Sequence, residues 1–267
     1  MEFNLICSGM GLTALTFRQG YVDLLEELVN RGKRYDSKGE KIFFCDVISP
    51  GVFVFGAIFG EDAFLLFPFY DVELKLHVFL KRIFVSDIEK SMLIAEFAFF
   101  ESHAAINGLK IYAALAFPYW LADKTDIFYA GAKQTTIECA VPLTVTLNAF
   151  LILETAVLYN DKADYFKKYG NEIVIDEKTI VWLKNINKDE TDYKNMPYAH
   201  FTGIVKAAYK VLNEYTKEYF RRIVVFSNGI EFSVLAPYSS KNEPDPLKSL
   251  KKDSILEGDI YFTAKRC

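Results

Sequence analysis

The sequence predicts an α+β fold in which a helix, a strand, a turn and a second strand recur four times. Apolar residues with a helical period appear at intervals, and short strands rich in Phe and Val follow them. The turns between the paired strands centre on Gly51, Gly108, about Glu177 and Gly229. The units share little sequence identity, so the recurrence is one of pattern. Any α+β chain with helix-then-hairpin units would also produce it.

The first unit begins with YVDLLEELVNR (21–31), whose apolar residues have a helical period. Breaks that contain glycine, proline or acidic residues divide the following stretch into four strands, and the last of them alternates as a half-buried strand should. These predicted strands are KIFFCDVI (41–48), GVFVFGAIF (51–59), AFLLFPF (63–69) and VELKLHVFL (72–80).

The two middle units are predicted in the same way. SDIEKSMLIAEF (86–97) begins with a capping box at Ser86 and precedes the strand–turn–strand stretch HAAINGLKIYAALAF (103–117). NAFLILETAVLY (148–159) is predicted as a helix before NEIVIDEKTIVWLKN (171–185), although its apolar run would also fit a strand.

The fourth unit contains the clearest helical period, HFTGIVKAAYKVLNEYTK (200–217). A predicted hairpin, RRIVVFSNGIEFSVLA (221–236), follows it, and the Asn-Gly pair at 228–229 suits the two positive φ angles of a type I′ turn. A polar loop that contains proline (239–253) and a last strand, EGDIYFTA (257–264), come next.

A line of cations marks the fourth predicted helix. Lys206, Lys210 and Lys217 fall on one stripe of a helix, and Arg221 and Arg222 follow directly. A solvated helix face would explain such a stripe. The stripe would equally lay lysines along a phosphate backbone without reading its base sequence.

The opening stretch FNLICSGMGLTALTF (3–17) contains the turn Gly9-Met10-Gly11 between an apolar run and a helix-like pattern. A nucleotide-binding loop has this local order, and Asp46 would stand where a ribose-binding acid could sit. Such a loop also needs strands and helices that continue to alternate, whereas several strands with hairpin-like breaks follow here. The turn is therefore predicted to be structural, and to join a first strand to the first helix.

Composition limits the remaining function classes. Of the 267 residues, 51% are hydrophobic, which excludes a disordered chain, and the net charge of −4 does not by itself indicate nucleic-acid binding. The four cysteines lack a CxxC spacing, and His77, His103 and His200 lack a second ligand at metal spacing. No disulfide framework, metal site, cofactor, catalytic residue, signal peptide or membrane span is predicted, and we expect an intracellular protein that is not an enzyme.

Several segments resemble, by pattern, the sliding DNA clamp family, which includes proliferating cell nuclear antigen and the phage processivity clamps. These segments are VISPGVFVFGAIFGEDAFLLF (47–67), FTGIVKAAYKVL (201–212), IEFSVLAP (230–237) and GDIYFTA (258–264). The resemblance implies two similar clamp-like domains, at 1–120 and 137–267, joined by an interdomain connector at 121–136.

The resemblance also implies a DNA polymerase processivity factor of viral or phage origin that acts where DNA is replicated in an infected cell. Three subunits would close a ring around duplex DNA without sequence specificity, and replication proteins would bind by peptide motifs beside the connector. The residues it places at DNA are Lys81, Arg82, Lys90, Lys206, Lys210, Lys217, Arg221 and Arg222, and those it places at partner peptides are Phe117, Tyr119, Trp120 and Leu121.

Two alternatives remain open. The first predicted helix carries Asp23, Glu26 and Glu27, where a clamp would present basic residues to DNA. The chain could therefore be a clamp-like or other α+β interaction protein without a DNA function. It could also be an enzyme that binds a phosphorylated ligand at the Gly9–Gly11 turn.

Overall fold

The protein is mostly β, and its computed structural model describes residues 2–36, 41–59, 63–85, 93–99, 110–116, 135–169, 180–182, 197–238 and 245–267. Three α-helices lie in these residues: α1 (Glu2–Gly9), α2 (Arg18–Arg31) and α3 (Lys162–Tyr169). The strands are β1 (Lys33–Asp36), β2 (Lys41–Ser49), β3 (Val52–Phe59), β4 (Ala63–Tyr70), β5 (Lys75–Val85), β6 (Leu93–Phe99), β7 (Lys110–Leu115), β8 (Thr135–Leu151), β9 (Val157–Tyr159), β10 (Ile180–Trp182), β11 (Tyr198–Leu212), β12 (Tyr219–Ser227), β13 (Ile230–Pro237) and β14 (Ile255–Arg266).

Eight of these strands close into a barrel, in the order β11-β12-β13-β8-β5-β6-β7-β14, and β14 pairs with β11 to complete the ring. Strands β8 and β14 also pair directly with each other. The predicted α+β fold of helix-plus-sheet repeats is therefore wrong. The predicted division at residues 121–136 stays a prediction, although strands from both sides of it belong to the same ring.

Alternating side chains fill the barrel. On β13 the even-numbered residues Ile230, Phe232, Val234 and Ala236 belong to the main hydrophobic core, while Glu231 between them is exposed. This two-residue period is what a strand with one buried face requires. The same alternation on β14 buries alternate apolar side chains in the main core.

A second layer covers part of the barrel. Strands β1 to β4 form an antiparallel sheet, and α1 and α2 pack with it around a second hydrophobic core. Phe150 on β8 and Leu235 on β13 point into this second core, whereas their sequence neighbours Ala149 and Val234 belong to the barrel core. The predicted strands of this region (41–48, 51–59 and 63–69) are confirmed, because alternation and turn residues agree there.

The predicted helix at 200–217 is instead strand β11 followed by a turn. Residues four apart share a face on a helix, but they also share a face on a strand, so the spacing of Lys206 and Lys210 does not distinguish the two structures. Long-range pairing decides the outcome, since β11 bonds to β12 on one side and to β14 on the other. Lys217 has a φ angle of 62° in the turn that follows, outside any helix.

Two further predicted helices also differ from the structure. The stretch 148–159 contains the end of β8, a 3-10 turn at Leu153–Thr155 and strand β9, so its apolar run follows the strand alternative. Residues 93–99 form β6, and residues 86–92 lie outside the described residues.

Two local predictions are confirmed. Residues 21–31 lie within α2, and the β12–β13 hairpin turns at Asn228 and Gly229 with φ angles of 51° and 77°. Within the described part of the chain, no helix is long and apolar enough to cross a bilayer.

The opening segment is helix α1, and the predicted first strand is wrong. The Gly9–Gly11 turn is thus the C-terminal end of a helix. The carbonyl of Cys7 accepts hydrogen bonds from the amides of Met10 (3.1 Å) and Leu12 (2.8 Å), and Gly11 has a φ angle of 64°. This left-handed glycine is a common way to end a helix.

Candidate functional site

The barrel brings four of the predicted DNA-facing residues onto adjacent strands. Lys206 and Lys210 lie on β11, and Arg221 and Arg222 lie on β12. In the β11–β12 register Lys210 is opposite Arg221, and Tyr209 is opposite Arg222. A register shift between Val205 and Ala207 leaves Lys206 without a cross-strand partner in that register.

A second cationic segment lies beside this hairpin. The amide of Asp253 donates to the carbonyl of Val205 (2.8 Å), and the amide of Val205 donates to the carbonyl of Ser254 (2.9 Å). Leu247 from the same segment is buried in the barrel core. These contacts fix residues 245–254 against β11, while the side chains of three lysines face solvent: Lys248, Lys251 and Lys252.

We call the combined surface the basic end. Its cations are Lys206, Lys210, Arg222, Lys248, Lys251 and Lys252, and its exposed aromatic side chains are Tyr209, Tyr219 and Tyr238. Tyr209 and Arg222 lie on one face of the β11–β12 pair, and Lys210 and Tyr219 lie on the other, so the basic end includes both faces at the edge of β11. The sequence pattern of 239–253 predicts only a polar loop, so the three lysines of 248–252 were not predicted as binding residues. Leu247 and Leu250 among these lysines are the signal that could have found them, since apolar residues within a charged loop indicate that the loop packs on the protein.

The tyrosines hold the cations in place. Lys210 Nζ lies 3.8 Å from the ring centre of Tyr219 and 4.4 Å from that of Tyr238. Arg222 lies 5.5 Å from the ring of Tyr209. Each such contact contributes roughly 0.5–1 kcal/mol at an exposed site. Lys210 and Arg222 are therefore partly ordered by these rings.

Arg221 has a structural position in this surface. Its guanidinium forms an ion pair with Asp245, donates to the carbonyl of Pro237 (3.2 Å) and lies 4.4 Å from the ring of Tyr238. Only 8% of the residue is exposed. The charge of Arg221 is thus already neutralised by Asp245.

The other predicted DNA-facing residues that the structure describes lie outside strands β11 and β12. Lys81 and Arg82 lie on β5, and the carboxylate of Glu96 pairs with both Arg82 and Lys110. Lys217 is exposed in the turn between β11 and β12. Lys90 lies outside the described residues, as do the predicted peptide-binding residues Phe117, Tyr119, Trp120 and Leu121.

The Gly9–Gly11 turn does not have the geometry of a phosphate cradle. The carbonyl of Met10 accepts from Asn213 Nδ2 (3.0 Å), and the carbonyl of Gly11 accepts from Thr216 Oγ1. The carboxylate of Glu218 binds the amide and hydroxyl of Thr13 beside them. A helix C-terminus carries partial negative charge, and a carboxylate stands next to it here, so an anion would be repelled.

A second polar cluster surrounds His200 on the outer face of β11 and β14. Its Nδ1 lies 2.7 Å from Asp259 Oδ1, and its Nε2 lies 3.4 Å from Glu257 Oε1. The hydroxyls of Tyr159 (2.9 Å) and Tyr169 (2.8 Å) donate to Glu257. The cluster attaches β9 and α3 to the outer face of the barrel.

The His200 cluster also contains a perturbed tyrosine. Burial raises the pKa of Tyr159, and the nearby Glu257 carboxylate adds to this shift because it disfavours a phenolate. Lys168 Nζ donates to the Tyr159 hydroxyl (2.7 Å). Among the residues that the structure describes, no group of three or more His, Cys, Asp or Glu side chains could hold a metal ion.

Comparison with known proteins gives no further guide to the site. The chain matches no protein-family model, no curated protein and no solved structure. The basic end and the His200 cluster are therefore interpreted from their own geometry.

Proposed function

We propose that the protein binds nucleic acid, without base-sequence specificity, at the basic end. One observation carries the proposal: exposed cations from two segments distant in sequence, 206–222 and 248–252, are fixed beside each other on the barrel. Lysine and arginine side chains that neutralise phosphates release the counterions of the nucleic acid, and this release favours binding of any sequence.

The local arrangement supports this function although the whole chain is acidic. A net charge of −4 describes the sum over the chain, whereas a polyanion responds to the charges within roughly one Debye length, about 8 Å at physiological salt. Arg221 is already paired with Asp245, so the proposal uses the lysines and Arg222.

The proposal keeps the DNA contact that the clamp resemblance implied and leaves out a helix-lined ring. Lys206 and Lys210 lie on strand β11, at the edge of the β11–β12 pair, and not on a helix. No catalytic step is assigned to the basic end, since its side chains are suited to binding phosphate rather than to transferring protons.

Binding to fluorescently labelled DNA, measured by anisotropy at several salt concentrations, tests the proposal. The double variant Lys251→Glu/Lys252→Glu is the informative change, because both side chains are exposed to solvent. We expect about tenfold weaker binding and a shallower dependence of the affinity on salt. The charge-matched control Lys75→Glu/Lys162→Glu, on β5 and α3, should bind like the unmodified protein.

Two results would overturn the proposal. One is that neither single-stranded nor duplex DNA binds at low salt. The other is that both double variants lose the same affinity, because the effect would then follow the net charge of the protein and not the basic end.

A further inference from the structure

The geometry points to a water-binding site between the barrel and the second layer, where one ordered water molecule joins Asn148 on β8 to Thr263 on β14. Two atoms indicate this site: Asn148 Oδ1 and Thr263 Oγ1 are buried and have no hydrogen-bond partner among the residues that the structure describes. Buried polar atoms in proteins are nearly always hydrogen-bonded, so two such atoms on neighbouring strands require a partner. The site does not depend on the proposed function.

The two side chains lie on the face of the barrel that the second layer covers. Asn148 is the cross-strand partner of Thr263 on β14 and of Ser233 on β13. Residues that alternate with this polar row, such as Leu147 and Phe262, belong to the barrel core, so the row itself points to the second layer. All three polar residues are 0% exposed. Solvent outside the protein therefore does not reach them.

A backbone contact fixes the orientation of the Asn148 amide. Its Nδ2 donates to the carbonyl of Tyr70 at the end of β4 (2.7 Å), and a carbonyl oxygen can only accept. Oδ1 is therefore left as an acceptor without a donor. The Thr263 hydroxyl does not bond to it directly, since such a bond would give both atoms a partner. The Cβ atoms of cross-strand partners are roughly 4.5–5.5 Å apart, a separation that one water molecule can bridge.

Water suits this position better than an ion does. Asn148 Oδ1 is only an acceptor, so it would repel an anion. Two nearby cationic side chains disfavour a metal cation: Arg222 donates to the hydroxyl of Ser233 (3.4 Å), and Lys265 on the same face of β14 forms an ion pair with Asp71. A water molecule can donate to Asn148 Oδ1 and also bond to the hydroxyl opposite, which gives it the two polar partners that a buried water needs.

Apolar side chains surround the polar row on the side of the second core. Phe150, Leu235 and Tyr261 each lie two residues along a strand from a member of the row, and all three are fully buried in the second core. An unsatisfied oxygen in such surroundings lowers stability, whereas a bridging water restores its hydrogen bonds. The water is therefore part of the contact that holds the second layer on the barrel.

Thr263→Val tests the site, because valine has nearly the shape of threonine and lacks only the hydroxyl. With the water in place, the variant loses a hydrogen bond to it, and we expect the folding equilibrium constant from chemical denaturation to fall about tenfold. Without the water, the change would remove an unpaired buried hydroxyl, and the protein would become more stable. The direction of the change thus distinguishes the two cases.

Ser254→Ala is the matched control. Ser254 Oγ is also buried without a partner, but the residue that bonds to its backbone on β11, Val205, is apolar. This variant should therefore be at least as stable as the unmodified protein. Equal losses of stability in Thr263→Val and Ser254→Ala would overturn the inference, as would a Thr263→Val variant that is no less stable than the unmodified protein.

A high-resolution crystal structure of the unmodified protein gives the direct readout. We expect electron density for one water within hydrogen-bond distance of Asn148 Oδ1 and Thr263 Oγ1, and loss of that density in Thr263→Val. Absence of the density from the unmodified protein would overturn the inference. A rubidium ion located at the site by anomalous scattering after soaking would overturn the assignment to water.

Discussion

Lys210 on β11 and Arg221 on β12 are direct cross-strand partners, yet their positive charges are stabilised in different ways. Like charges placed opposite each other in a sheet are destabilising. Arg221 is compensated by Asp245, whereas Lys210 extends over the ring of Tyr219 at 3.8 Å. Arg221 is therefore a neutralised structural residue, whereas Lys210 remains a cation that is accessible to solvent.

The first prediction concerns the anchor. Asp245→Asn should lower the free energy of unfolding by about 3 kcal/mol, because it leaves the nearly buried Arg221 guanidinium without its carboxylate. Asparagine can still accept from the amide of Leu247 (3.0 Å), so the change isolates the charge. Chemical denaturation measures the effect.

Asp164→Asn is the matched control for this measurement. Its carboxylate meets Lys167 at 3.9 Å on the exposed surface of α3, where an ion pair contributes little. Equal stabilities for the two variants would show that the Arg221–Asp245 pair is not an anchor.

A second prediction follows from the turn after α1. Gly11→Ala should destabilise the protein by about 1–2 kcal/mol, since the φ angle of 64° is unfavourable for a residue with a Cβ atom. The added Cβ would also lie 3.2 Å from atoms of Glu218. Thermal unfolding measures the loss.

Gly11→Asn provides the comparison, because asparagine tolerates the left-handed region better than alanine. It should therefore cost less stability than Gly11→Ala. If both variants were as stable as the unmodified protein, the glycine would not be needed for the backbone, and a ligand-binding role for the turn would have to be reconsidered.

Local sequence signals predicted the elements that depend on neighbouring residues. The β12–β13 hairpin was predictable because Asn228 and Gly229 supply both positive φ angles, and α2 because its apolar residues recur with a helical period. Strand β11 was not predictable, because residues four apart share a face in both helices and strands. Its identity depends on pairings such as Tyr198 with Tyr261, which join residues far apart in the chain.

The basic end also combines residues that a local pattern predicts with residues that only long-range contacts bring there. Lys206, Lys210 and Arg222 were predicted as ligand-facing residues from their own segment, and the structure keeps them together on two strands. The position of Lys251 and Lys252 beside β11 depends on the hydrogen bonds between Val205 and the backbone of residues 253–254. No local pattern in the sequence indicates these bonds.

A third prediction concerns alkaline pH. Burial raises the pKa of the Cys7 thiol, and it raises that of Cys45 to about 11. Well below pH 9 both thiols are protonated in the folded and the unfolded chain, so they add no pH dependence there. As the pH rises above about 9, the unfolded chain loses these protons first, and the free energy of unfolding should fall.

Denaturant titrations between about pH 8 and pH 11 measure this slope. Cys45→Ser should make it shallower, because one of the thiols with a raised pKa is then absent. Cys267→Ser is the control, since that cysteine is exposed, and it should leave the slope unchanged. A slope that is the same in all three proteins would contradict the assignment to the buried thiols.

The last prediction concerns the attachment of α3 to the barrel. The Tyr159 hydroxyl donates to Glu257 (2.9 Å) and accepts from Lys168 (2.7 Å), so it links a strand, a helix and the outer face of β14. Tyr159→Phe removes both bonds but keeps the ring that packs edge-on against Tyr165. We expect a loss of about 1 kcal/mol, concentrated in α3.

Amide hydrogen exchange locates this loss. Exchange of the α3 amides should become faster, while that of β12 stays the same, because β12 is paired on both sides and does not depend on the His200 cluster. Tyr209→Phe, which removes an exposed hydroxyl, should change neither region. Unchanged exchange in α3 of Tyr159→Phe would mean that the aromatic contacts alone hold the helix, and the hydrogen bonds to Glu257 would then be left without a structural role.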